Sequence, residues 1–119
     1  REYCCLKKKF KTKLLSERPD LWSALEDFRD HHFPLFEFTG IQFNYNYKIG
    51  PHKDAANVGQ SVLVSCGDYT GGETCVQLED GTIQKFDARL RPVIFDGSKY
   101  THWVSEFSGE RFSVVLFRD

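Results

Sequence analysis

Gly50-Pro51-His52-Lys53-Asp54 is the stretch on which the reading of this chain turns. In an extended backbone alternate side chains point to the same side, so His52 and Asp54 face one way and Lys53 the other. Such a pair can chelate one ion. A third ligand has to come from a distant segment, and His102 supplies it in Tyr100-Thr101-His102-Trp103-Val104, whose aromatic and β-branched content predicts a strand. Two imidazoles and one carboxylate suit Fe(II) and leave half of an octahedron open. The next predicted strand is Arg111-Phe112-Ser113-Val114-Val115-Leu116-Phe117, with Arg111 and Ser113 on one face. A guanidinium there can grip a dicarboxylate through two parallel hydrogen bonds. The other face, Phe112, Val114 and Leu116, is apolar and is expected in a core.

Outward from these residues the pattern is mostly β. Pro19-Asp20-Leu21-Trp22 predicts a helix start, with Leu21, Leu25 and Phe28 on one face and His31 and His32 at the C-terminal end, where cations interact favourably with the helix dipole. The helix is expected over 19–32 and a β core over 36–118. Predicted strands run from Phe36 to Lys48, Gln60 to Cys66, Glu73 to Leu78, Thr82 to Asp87, Pro92 to Phe95, Tyr100 to Glu106 and Glu110 to Arg118. Gly67-Asp68-Tyr69-Thr70-Gly71-Gly72 and Ser108-Gly109 read as turns between them. About seven regularly spaced short strands predict an antiparallel sandwich or barrel, here a double-stranded β-helix of the jelly-roll class with an N-terminal helix.

The chain's 119 residues are enough for one core and one catalytic domain spanning 1–119. Aromatics make up 15% of the residues, including 11 Phe, which suits a sandwich filled by large side chains. There is no Met, so a segment of a longer protein is expected. No apolar run approaches the roughly 20 residues of a membrane span, and nothing resembles a signal peptide. Repeats, low-complexity tracts and Gly-rich phosphate loops are absent from the sequence. Cys66 and Cys75 lie in apolar strand patterns and are expected as buried thiols, while Cys4 and Cys5 form no CxxC. A soluble protein and a monomer are expected, and free thiols beside Fe(II) predict an intracellular compartment, nucleus or cytoplasm. Residues 1–18 carry seven basic and two acidic side chains in a protein of net charge -1. That lead-in suits a phosphate-bearing partner and equally a solvated linker.

Four segments carry a family likeness: Gln42-Phe43-Asn44-Tyr45-Asn46-Tyr47, Pro51 through Asn57-Val58-Gly59, Gly67 through Glu73, and His102-Trp103 through Ser113. Over roughly residues 40–118 the chain resembles the TET and J-binding-protein group, Fe(II)- and 2-oxoglutarate-dependent dioxygenases that oxidise the 5-methyl group of pyrimidines in nucleic acid. The resemblance implies that His52, Asp54 and His102 bind Fe(II), that Arg111 and Ser113 hold 2-oxoglutarate, that O2 is the co-reactant, and that Asn57 contacts the target base. A side-chain amide can read a base edge by donating and accepting at once. Asn57, preceding Val58-Gly59, suits a turn equally well. Members of that group often carry a Tyr or His beyond the last strand to contact the base, whereas Phe117 here is apolar.

Gly50 through Asp54, Gly71-Gly72-Glu73-Thr74 and Gly109-Glu110-Arg111 also resemble prolyl-4-hydroxylase-type enzymes, which implies a peptide substrate instead. A cupin-like binding module without activity is a third possibility. It requires the alignment of His52, Asp54 and His102 to be accidental. Fold and metal chemistry do not fix the substrate.

Overall fold

The computed structural model describes residues 2–7, 19–32 and 36–119. Ten strands and one helix occur among them: β1 (Glu2–Lys7), α1 (Pro19–His32), β2 (Gly40–Tyr45), β3 (Ser61–Cys66), β4 (Tyr69–Gly71), β5 (Thr74–Gln77), β6 (Ile83–Phe86), β7 (Val93–Phe95), β8 (Thr101–Val104), β9 (Phe107–Gly109) and β10 (Phe112–Phe117). They form a five-stranded sheet in the order β1-β2-β10-β3-β7, a three-stranded sheet β6-β5-β8 and a two-stranded ribbon β4-β9, all with antiparallel neighbours. The result is a jelly roll. No helix among the described residues is long and apolar enough to cross a membrane.

Period-2 alternation divides the large sheet cleanly. Ile41, Val62 and Leu116 pack with Phe38 on its outer face, joined by Phe43, Val114 and by Phe28 of α1. Leu63 and Val115, one residue along from Val62 and Leu116, turn inward with Val76, Ala88, Val93 and Phe95 to close the space between the two larger sheets. Beyond this plug the interior stays open. One glycine is required here: a Cβ on Gly40 would fall 2.2 Å from the ring of Phe117, its cross-strand partner.

Several expectations need correction. Glu2–Lys7, read as lead-in, is an edge strand paired along its whole length with β2, so the helix is not the first element. Residues 8–18, the rest of the lead-in, lie outside the described residues, as do the side chains of Cys4, Cys5, Leu21, Leu25 and His32. The strand expected from Phe36 to Lys48 is confined to Gly40–Tyr45, because Asn46 takes a left-handed φ of 49° and leaves the sheet. The supposed turn at 67–72 contains β4, and Ser108-Gly109 are the last two residues of β9. These strands are three residues each, too short for alternation to register, and they need glycine: a Cβ on Gly71 would lie 2.2 Å from the Glu106 carbonyl oxygen. Phe112 is 45% exposed rather than in the core. It lies opposite Tyr45 and Cys66, at the end of the outer face away from the core cluster, and stacks on Tyr45 with ring centroids 4.8 Å apart. Cys66 is exposed at the same end, while Cys75 is buried as expected.

Candidate metal and cosubstrate site

His52 and His102 come together through the backbone before any ligand is considered. They form an isolated antiparallel bridge, with His52 N–H donating to His102 O at 3.1 Å and His102 N–H to His52 O at 2.9 Å. Asp54 is fixed two residues on, its N–H donating to Gly97 O at 2.9 Å. The ligand atoms of His52, Asp54 and His102 all lie within 4.8 Å of one another.

Protonation of the rings follows from their partners. A carbonyl oxygen only accepts, so Nδ1–H of His52 donates to Gly50 O at 2.8 Å and Nδ1–H of His102 to Tyr100 O at 2.9 Å. In the neutral imidazoles the lone pairs are therefore on Nε2. That of His102 meets Asp54 Oδ2 at 3.1 Å, and that of His52 lies 3.5 Å from Asp54 Oδ1. Lone pairs converging on a carboxylate repel unless a proton or a cation lies between them. When Nε2 of His102 carries a proton it donates to Asp54, and this hydrogen bond is the chief cause holding the Asp54 carboxyl below its ordinary pKa, against the effect of burial. With the proton gone, a divalent ion fits the same gap. Donors bonded to one first-row metal at about 2.1 Å stand about 3 Å apart at adjacent positions. The triad therefore fits Fe(II), and the carbonyl partners fix the orientation of both rings as outer-shell groups do in metal sites.

The same cavity, of about 310 Å³, reaches Arg111 and Ser113 as well as the triad. Arg111 is 3% exposed, yet its Nε and Nη2 have no hydrogen-bond partner. Burial pulls the pKa of this guanidinium below its usual value. Orphaned donors on a buried cation are costly unless an anion meets them. Ser113 Oγ accepts from Asn44 Nδ2 at 3.0 Å, and Asn44 Oδ1 accepts from Gln42 Nε2 at 2.9 Å. The Ser113 proton is thereby left to donate into the cavity. Asn57 sits in a turn, its N–H donating to Asp54 O at 2.9 Å, and it lines the cavity.

Sequence reasoning missed four contributors. Gly97 lets the backbone approach the ligands, since a Cβ there would lie 3.1 Å from Asp54 Oδ2 and 3.2 Å from His102 Cε1. Asn46 Oδ1 accepts the Arg111 N–H at 2.8 Å and so fixes where β10 begins. Ser61 and Thr74 line the cavity with buried hydroxyls that have no partner. Parity with Leu63 and with Val76 was the signal that could have found the last two.

No protein-family model and no curated protein matches the chain. Solved structures do. An oxidoreductase of the 2OG-Fe(II) oxygenase family from Burkholderia pseudomallei is 27% identical, with a TM-score of 0.65 over 83% of this chain and 56% of that one. The fold is that of the 2OG-Fe(II) oxygenases. NgTET1 in complex with 5mC DNA is 18% identical, with a TM-score of 0.65 over 99% of this chain and 61% of that one. A Pseudomonas putida prolyl-4-hydroxylase is 18% identical, with a TM-score of 0.52 over 82% and 61%. The chain thus spans less than two thirds of each of these relatives.

Proposed function

We propose that residues 36–118 form the core of an Fe(II)- and 2-oxoglutarate-dependent dioxygenase, and that its substrate is a 5-methylpyrimidine, 5-methylcytosine first, in nucleic acid. One observation carries the enzymatic part: converging ligand lone pairs and an unpaired buried guanidinium open into a single cavity. In this reading His52, Asp54 and His102 hold the metal, Arg111 pairs with the far carboxylate of 2-oxoglutarate, and Ser113 donates to the same group. Bound together, Fe(II) and 2-oxoglutarate supply the oxidising chemistry, consuming O2 and releasing succinate and CO2. The chain's own part is geometric. Carbonyl partners keep both Nε2 atoms aimed inward, Leu63, Val115 and Phe117 keep water from the cavity wall, and no side chain has to act as general base.

The nucleic-acid substrate is supported by the likeness to NgTET1, which covers nearly the whole chain, and by Asn57 beside the metal ligands. The likeness to a prolyl-4-hydroxylase supports the peptide alternative. The deciding experiment incubates the protein with Fe(II), 2-oxoglutarate and O2 against methylated DNA, methylated RNA and Pro-rich peptides, and seeks the mass of one added oxygen. Oxygen gained by the methylated base upholds the reading, whereas oxygen gained by peptide alone replaces it with a peptide hydroxylase. A base inside a duplex has to be unstacked, at a few kcal/mol, so single-stranded substrate is expected to turn over faster.

A further inference from the structure

A buried arginine that is to receive an anion has to be held still without being neutralised. Among the described residues no carboxylate pairs with Arg111. It is held instead by aromatic faces: its Cζ lies 5.5 Å from the ring centroid of Tyr69 and 5.9 Å from that of Phe107. Such contacts draw on the charge of the guanidinium and do not consume its N–H donors, of which Nε and Nη2 have no hydrogen-bond partner. An ion pair would orient the group and consume those donors.

Tyr69 is itself immobilised from several directions. It is 3% exposed, its hydroxyl lies 2.6 Å from Ser65 Oγ, and its ring meets Phe107 edge-on at 6.3 Å. The guanidinium of Arg89 lies 4.0 Å from the same ring centroid and donates through Nη2 to the Tyr69 carbonyl. Gly72, at φ 68°, leaves room for the crossing, since a Cβ there would come 3.0 Å from Arg111 Cδ and 3.1 Å from Tyr69 Cε2. Two guanidiniums thus share one fixed ring, and among the described residues neither forms an ion pair with a carboxylate; of the two, Arg111 lines the cavity.

We propose that Tyr69 is the positioning residue for Arg111, and that its ring face sets the preference of this site for a dicarboxylate over the matching monocarboxylate. The inference rests on the cosubstrate reading above. Its test is a binding measurement on protein loaded with Mn(II), using calorimetry with 2-oxoglutarate and with 2-oxobutyrate, which lacks the distal carboxylate. Wild type is expected to prefer 2-oxoglutarate. Tyr69→Leu is expected to cut that preference by about three- to thirtyfold, the range of one cation–π contact, with Mn(II) and 2-oxobutyrate affinities unchanged. Tyr69→Phe keeps the ring and is expected to keep the preference. If Tyr69→Leu does not fold, phenylalanines of increasing fluorination at position 69 preserve shape while weakening the ring face. A preference that falls with fluorination supports the proposal, and a flat series overturns it. Loss of preference in Tyr69→Phe, or its survival in a folded Tyr69→Leu, also overturns it. A wild type that does not distinguish the two acids overturns the cosubstrate reading itself.

Discussion

The two faces of the five-stranded sheet are built from alternate residues of the same strands and do opposite work. Ile41, Val62 and Leu116 face outward into a sealed apolar layer. Gln42, Asn44, Ser61 and Ser113, at alternate positions of the same strands, face a cavity beside the inner plug of Leu63 and Val115. Stability and function are thereby separated by a single step along the chain. A substitution on one face should leave the other nearly untouched, and that separation can be tested from both sides.

The largest effect is expected at the triad. Asp54→Ala or His52→Ala should abolish stoichiometric Fe(II) binding in a metal titration while the unfolding midpoint of the metal-free protein barely moves, because both side chains are partly exposed and outside either core cluster. Unchanged iron affinity in both variants would break the division at once. Leu116→Ala is the converse. It removes a side chain that is 2% exposed and should cost about 2–5 kcal/mol in denaturant unfolding, with Fe(II) and 2-oxoglutarate affinities preserved in the folded fraction.

Arg111→Lys retains charge but not the planar pair of donors. Weakening of 2-oxoglutarate binding by roughly tenfold to a hundredfold is expected, the worth of one charge-assisted hydrogen bond of about 1.5–3 kcal/mol, and calorimetry should find the metal affinity unaltered. Gly97→Ala brings a methyl group within 3.1 Å of Asp54 Oδ2, so Fe(II) affinity should fall by about tenfold, as for changes to groups that orient metal ligands. Phe112→Ser sharpens the comparison from below. Although it lies on the outer face, Phe112 is half exposed beyond the core layer, and its loss should shift stability by no more than about 0.5 kcal/mol in the same unfolding assay.

Alternation is also why so much of the site was legible. His52 and Asp54, or Arg111 and Ser113, share a face in any extended backbone, and the cavity gathers all four together with His102 and Asn57. What alternation conceals is the nature of the space a face looks into. Gln42, Asn44 and Ser61 illustrate this, since a polar residue next to an apolar one gives the same pattern whether it meets bulk water or a chamber. Gly97 and Gly72 were hidden for another reason. Their contribution is the absence of a side chain beside groups distant in sequence, which no local pattern encodes. The ribbon β4-β9 escaped because three-residue strands flanked by glycine have the composition of turns.

The reciprocal hydrogen bonds between His52 and His102 tie two ligands to the border of the three-stranded sheet, where His52 extends β8 by a single pair. Fraying of that border and dismantling of the metal site are consequently one event. A bound ion acts as a clasp on the sheet. At a thousandfold excess over its dissociation constant it would restrain this opening by about 4 kcal/mol.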